Sequence, residues 1–154
     1  MRVRQRKSAL PEGVVVVRTL RIARDGTWYA DETEMERRDI VSLFAAHLER
    51  DGQGYLVRLG SDSMRVEVED VPFVIADVVP AEGGLRARLV DGREVDLPPG
   101  PIYLVNDIPY CSLRWERDTK VGRGAWWRLL WYLDEKEEVI RYGEKAWPLV
   151  RPAG

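Results

Sequence analysis

Four carboxylates fall within the fourteen residues RVEVEDVPFVIADV: Glu67, Glu69, Asp70 and Asp77. Carboxylates this close together can activate water, share a proton or hold a hard cation. A cation site needs several oxygens converging at about 2.0–2.6 Å. The residue pattern points elsewhere. In a strand, alternate side chains share a face, so Val66 and Val68 turn one way while Arg65, Glu67 and Glu69 turn the other. That is the alternation of a half-buried antiparallel strand, with Arg65 as a neighbouring counter-charge. The expected reading is a solvated sheet face. The alternative is a hydrolytic or metal-assisted enzyme using Glu67, Glu69 or Asp77 together with His47, the single histidine.

The remaining chemistry-bearing residues are few. His47 falls on the apolar face of an amphipathic segment, which predicts a packed or boundary histidine rather than a general base. Cys111 is the only cysteine. It has no histidine at a telling spacing, so a small buried hydrophobe is expected. No phosphate-cradling motif of the type GxxxxGK[ST] or GxGxxG occurs. No catalytic residue, cofactor or metal is therefore assigned. The densest chemical signal is aromatic. Trp28, Trp115, Trp126, Trp127 and Trp131 are the candidate ligand or interface residues, because tryptophan serves core, cleft and interface alike.

The elements that would position these groups follow from local patterns. VVVVRTLRIA, residues 14–23, is β-branched and reads as a strand. Asp25-Gly26 predicts a two-residue hairpin turn leading to a return strand at 27–30. Thr33 and Glu36 have capping-box spacing ahead of a helix over about 36–50, closed by Gly52. Ile40, Leu43, Phe44, His47 and Leu48 would form its buried face. Residues 55–59, 64–69 and 73–78 read as a three-stranded meander. Further strands are expected at 85–90 and 93–97 around Asp91-Gly92, and at 102–105 and 109–115 around Asn106-Asp107. LPPGP, residues 97–101, predicts the boundary between two lobes. GAWWRLLWYLDEKEEVIRY, residues 124–142, fits a helix through its leucines or a strand pair through its aromatics, and the strand pair is preferred.

These elements predict an α+β fold: mostly antiparallel sheet in two small lobes with one main amphipathic helix. The expected organisation is a basic N-terminal arm at 1–13 (Arg2, Arg4, Arg6, Lys7), a first α+β lobe at 14–97, and a Trp-rich second lobe at 98–154 packed on the first, or one continuous domain. The length of 154 residues suits this. No apolar run is long enough to span a bilayer and no signal-peptide pattern occurs, so a cytoplasmic protein is expected. A formal net charge of −2 gives only a weak field, which argues against nucleic acid as a partner.

A string of motifs is also familiar. I-x-R-D-G-T-W at Ile22–Trp28, L-F-x-x-x-L-x-R-D at Leu43–Asp51 and V-x-D-A-P-F-V at Val68–Val74, with Val71 in place of alanine, resemble the bacterial family called domain of unknown function 1285. The resemblance covers mainly residues 20–79. Beyond it the second half departs from the family pattern, with PIYLVND at 101–107 a loose echo of a family strand. The resemblance implies an α+β fold of two sheet-based lobes and a role in signalling or ligand sensing, with no catalytic residues to carry over. The resulting expectation is a non-catalytic binding or regulatory module that engages a small ligand or protein partner through a cleft between lobes. An enzyme using the acidic strand and a structural homo-oligomer, here a homodimer, are the alternatives.

Overall fold

The computed structural model of the chain describes residues 2–5 and 13–153. It divides into two compact units, residues 1–70 and 71–154. The fold is α+β with largely antiparallel sheets and two helices. The break at Asp70/Val71 precedes the one expected at 97–101. LPPGP lies inside the second unit, where Leu97 is buried and the Pro98 carbonyl accepts a hydrogen bond from Trp147 Nε1 at 2.8 Å. Proline and glycine interrupt the sheet there without ending the core.

In the first unit β1 (Arg2–Gln5) pairs antiparallel with β2 (Gly13–Val16). Of the expected basic arm, Arg2 and Arg4 thus fall in a strand, while Arg6 and Lys7 lie outside the described residues. The main sheet contains β3 (Leu20–Ile22), β4 (Trp28–Ala30), β5 (Thr33–Glu34), β6 (Leu48–Asp51), β7 (Gly54–Leu59) and β8 (Asp62–Val68), in the order β5-β4-β3-β8-β7-β6. Only β3 and β8 run parallel. One helix, α1 (Arg38–Ala46), links β5 to β6. Ile22, Trp28, Phe44, Leu48, Val57 and Val66 are buried in this unit.

The helix differs from its expected form at both ends. Thr33 is in β5 and makes no cap. Helix α1 begins after Arg37, which pairs with Asp39 instead. It ends at Ala46, and residues 48–51 turn straight into β6. Its buried face is Val41, Phe44 and Ala45, not Leu43 and His47, which are exposed. The expected turn at Asp25-Gly26 exists, but only Gly26 has positive φ. Asp25 Oδ1 accepts from Thr27 N while Ala23 N donates to Thr27 O. The same bonds recur at Leu89, Asp91, Gly92 and Arg93. In each turn an aspartate side chain stands in for one backbone acceptor.

The second unit holds a nine-stranded sheet. Its strands are β9 (Phe73–Ala81), β10 (Gly84–Leu89), β11 (Glu94–Asp96), β12 (Ile102–Val105), β13 (Ile108–Cys111), β14 (Thr119–Val121), β15 (Leu133–Asp134), β16 (Val139–Tyr142) and β17 (Lys145–Val150). They lie in the order β11-β10-β9-β14-β13-β12-β17-β16-β15, parallel only at β9/β14 and β12/β17. The expected meander of residues 55–78 is therefore split. Residues 54–68 form the β7–β8 hairpin, and β9 starts the other sheet after the Asp70-Val71-Pro72 bend. The β12–β13 hairpin turns on Asn106 and Asp107, both at positive φ.

Residues 123–130 form a helix, α2 (Arg123–Leu130), and not the preferred strand. Strands resume only at Leu133. Helical spacing sorts the apolar residues into three i, i+4 pairs. Ala125 and Leu129 are buried, Trp126 and Leu130 are partly buried, and Trp127 and Trp131 are exposed. The buried pair packs α2 on β9. The aromatics that suggested a strand instead give the helix one apolar stripe that the fold does not cover.

Gly122 starts this helix because nothing larger fits. Its N–H donates to the Ile75 carbonyl at 2.9 Å, and a Cβ there would stand 2.6 Å from that oxygen. Gly122→Ala should cost about 1–3 kcal/mol, the usual range for overpacking a tight contact. Thermal unfolding checks this, and an unchanged melting temperature would show that α2 can shift away from β9.

Candidate functional site

Two of the four carboxylates of the acidic stretch, Glu69 and Asp77, are held by arginine. Glu69 Oε1 accepts from Arg21 Nη1 at 2.7 Å, and its Oε2 accepts from Arg24 N at 3.0 Å. Arg21 also bridges to Glu32 and lies over the Tyr29 ring at 4.2 Å. Arg65 forks onto both oxygens of Asp51, at 2.7 and 2.6 Å. Glu67 is exposed on the same face. Asp77 belongs to the second unit, where it accepts from Val78 N and Arg128 Nε, each at 2.8 Å. Among the described residues no cluster of His, Cys, Asp and Glu has the makings of a metal site.

His47 and Cys111 also have structural occupations. His47 closes the C-terminus of α1, exposed, with Nδ1 2.9 Å from the Leu43 carbonyl. It is not packed into the core. Cys111 is buried, and desolvation pushes its thiol up to about 12, helped by the nearby Asp118 carboxylate. A thiol held that high is a poor nucleophile at neutral pH.

The structure disperses the tryptophans. Trp28 is 2% exposed and packs against Phe44 with ring centroids 6.1 Å apart, so it is core in the first unit and not a surface residue. Trp115 stacks on Phe73 at 6.2 Å with the rings 6° from parallel, and Arg114 covers it. Trp126, Trp127 and Trp131 stay together on α2. Trp127 is 62% exposed and Trp131 86%.

Trp126 and Trp127 form one wall of a trough of about 380 Å³. Ile108 and Pro109 from β13, Val121 from β14 and Leu130 from α2 supply the rest of its apolar lining. Its charged lining residues are Lys120, Arg123 and Asp107. The trough is open on one side. It suits protruding apolar groups better than reacting atoms, because its lining holds no pair of groups poised for proton transfer or nucleophilic attack.

One determinant of this site went unread in the sequence: Asp118. It is 1% exposed, and its carboxylate accepts from the backbone N–H groups of Leu113, Arg114 and Trp115, each at 2.8 Å. Thr119 Oγ1 donates to it as well. The loop 112–118 is thereby wrapped around one charge before β14 begins. The sequence shows only an aspartate flanked by arginine and threonine, with no spacing rule to mark it.

Two measurements follow. Cys111 should resist a thiol reagent at pH 8 in the native protein and react fully once the chain is unfolded, and rapid native labelling would refute its burial. Asp51 should titrate at about 2, below its ordinary 3.8, because Arg65 and the Gln53 N–H favour the carboxylate. Its contribution to stability is complete above pH 3.8 and is lost as pH falls through about 2. A carboxyl carbon NMR titration with a midpoint near 3.8 would show the Arg65 fork does not hold in solution.

Comparison with known proteins agrees with this architecture. Residues 11–71 match the family described as Domain of unknown function (DUF1285), N-terminal domain. A solved DUF1285 family protein from Silicibacter pomeroyi DSS-3 is 25% identical, with a TM-score of 0.70 over 87% of this chain and 80% of that one. Another, from Shewanella baltica OS155, is 24% identical, with a TM-score of 0.62 over 74% of this chain and 91% of that one. No curated protein matches the chain. The likeness to the first structure covers too much of the chain to stop at residue 71, so it includes part of the second unit, where sequence motifs had faded. Over residues 11–71 this chain is therefore similar to the N-terminal domain of the DUF1285 family, and its fold is like that of the two solved family members.

Proposed function

We propose that this chain is a non-catalytic binding module, acting in the cytoplasm in a regulatory or signalling role, whose second unit engages its partner through the α2 trough. The observation that carries this reading is the uncovered Trp127/Trp131 stripe beside a preformed apolar recess. Large exposed aromatics flanking a concavity are characteristic of recognition surfaces. The groups that could do chemistry favour binding over catalysis: Glu69 is held by Arg21, His47 finishes a helix, and the Cys111 thiol is raised.

A second reading has its own support. Trp131 projects from the end of α2 at 86% exposure, which also suits a homodimer surface. Sedimentation over a range of concentrations distinguishes the two. A mass that doubles with concentration and returns to the monomer in Trp131→Ala favours self-association.

The binding reading is tested by two-dimensional NMR with neutral fragments such as indole and cyclohexanol. Shifts should gather at Ile108, Val121, Gly122 and the Trp126 and Trp127 indole N–H groups. The double substitution Trp127→Ala/Trp131→Ala should remove them while changing stability by less than about 0.5 kcal/mol, as for other surface changes. Shifts confined to other parts of the chain, or none, would overturn the proposal.

A further inference from the structure

We infer that the trough takes an acidic peptide segment, one that inserts one or two apolar side chains and sets carboxylates beside them. This rests on the binding reading above and names the class of partner. Three features of the second unit lead to it: the shape of the trough, the chemistry of its lining, and its charge.

Shape separates a peptide from a free small molecule. Small-molecule sites usually enclose most of their ligand in roughly 300–1,000 Å³. This trough is at the small end of that range and open along one side. A free ligand would keep much of its surface in water, whereas a side chain projecting from a chain that lies along the opening would fill the recess. The floor and walls are apolar and aromatic: Pro109, Val121, Trp126, Trp127 and Leu130. They match a leucine or phenylalanine side chain.

Charge selects the residues beside that anchor. Two cations, Lys120 and Arg123, line the trough against one carboxylate, Asp107, in a chain whose formal net charge is −2. Arg123 is exposed and makes no hydrogen bond or ion pair among the described residues. It begins α2, where Gly122 supplies no side-chain cap and the first turn holds no acidic residue. The first-turn N–H groups lack intrahelical acceptors and carry the positive end of the helix dipole. Acidic residues in the first turn are the usual internal answer to that charge, and here none is present. A partner's carboxylate next to an inserted apolar side chain would satisfy Arg123 and the helix start together. Complementary charge of this kind chiefly sets specificity and association rate.

An anionic bilayer shares part of this chemistry, since exposed tryptophan with arginine also suits a membrane interface. The recess favours the peptide: Trp127 and Trp131 project and could meet a bilayer, but a bilayer surface would leave the apolar lining of Pro109, Val121 and Leu130 unfilled, whereas an inserted side chain fills it.

The test is fluorescence polarisation with three labelled, end-blocked peptides. Each has a central Leu-Phe flanked by two residues on either side, all Glu, all Gln or all Lys. The Glu peptide should bind about tenfold more tightly than the Gln peptide and the Lys peptide most weakly, with the Glu preference shrinking as salt rises past about 0.15 M. Arg123→Gln should reduce the preference and Arg123→Glu abolish or invert it, with melting temperatures unchanged. Trp127→Ala should weaken all three peptides alike. Equal binding of the Glu and Gln peptides overturns the inference, as does Glu-peptide binding that survives Trp127→Ala. If no peptide binds while neutral fragments do, this inference fails and the binding-module reading stands. If fragments fail too, both fall. Binding to phosphatidylserine vesicles without peptide binding would assign the stripe to a membrane surface, and concentration-dependent dimerisation lost in Trp131→Ala would assign it to a second copy. Either result overturns the inference.

Discussion

The second unit depends on one buried charge. Asp118 is removed from water, and burying a carboxylate is costly unless its oxygens are satisfied. Three backbone N–H groups and a threonine hydroxyl satisfy them, and hydrogen bonds to a charged group contribute about 1.5–3 kcal/mol each. The acceptance geometry fixes the loop 112–118 in one shape. The Asp118 carbonyl meanwhile takes the N–H of Phe73, the first residue of β9. From that point β14 runs parallel to β9, a pairing that no short turn could produce.

The rest of the site follows in chain order. Three residues of β14 lead to Gly122, which donates to Ile75 on β9 and can approach that closely only because it lacks a side chain. The direction of α2 is set there. Ala125 and Leu129 then settle on the sheet, and the helical period leaves Trp127 and Trp131 outward. The trough is the space left between α2 and the β13–β14 strands. It is a consequence of where β14 ends, so it exists before any partner arrives, and preorganisation of this kind lowers the cost of binding.

The sequence was informative where local rules apply. Alternation in Arg65–Glu69 correctly made the acidic stretch a sheet face, but Arg65, expected as its counter-charge, turns to Asp51 instead, and Arg21 holds Glu69. Asn106-Asp107 marked its hairpin, and the spaced motifs of residues 22–74 identified the first unit. The failures have physical causes. Residues 73–78 looked continuous with the preceding strands, because their parallel partner β14 is about forty-five residues further on and leaves no local trace. The α2 segment read as strand because its aromatics, tryptophan above all, have a high β propensity. The α1 cap failed because Thr33 was needed by β5. Asp118 was invisible because its partners are backbone N–H groups, which every sequence contains. The candidate site was thus half legible: its tryptophans could be named, but not which of them share a surface.

The most direct test of this dependence is amide hydrogen exchange in Asp118→Asn, which keeps the shape but removes the charge and one acceptor. The account predicts that protection falls at Leu113, Arg114 and Trp115 and that the loss continues through Thr119–Val121 into the first turns of α2. The β7–β8 hairpin of the first unit should stay protected. Native-like protection of β14 and α2 in that variant would contradict the account, because it would mean the trough is held in place without Asp118.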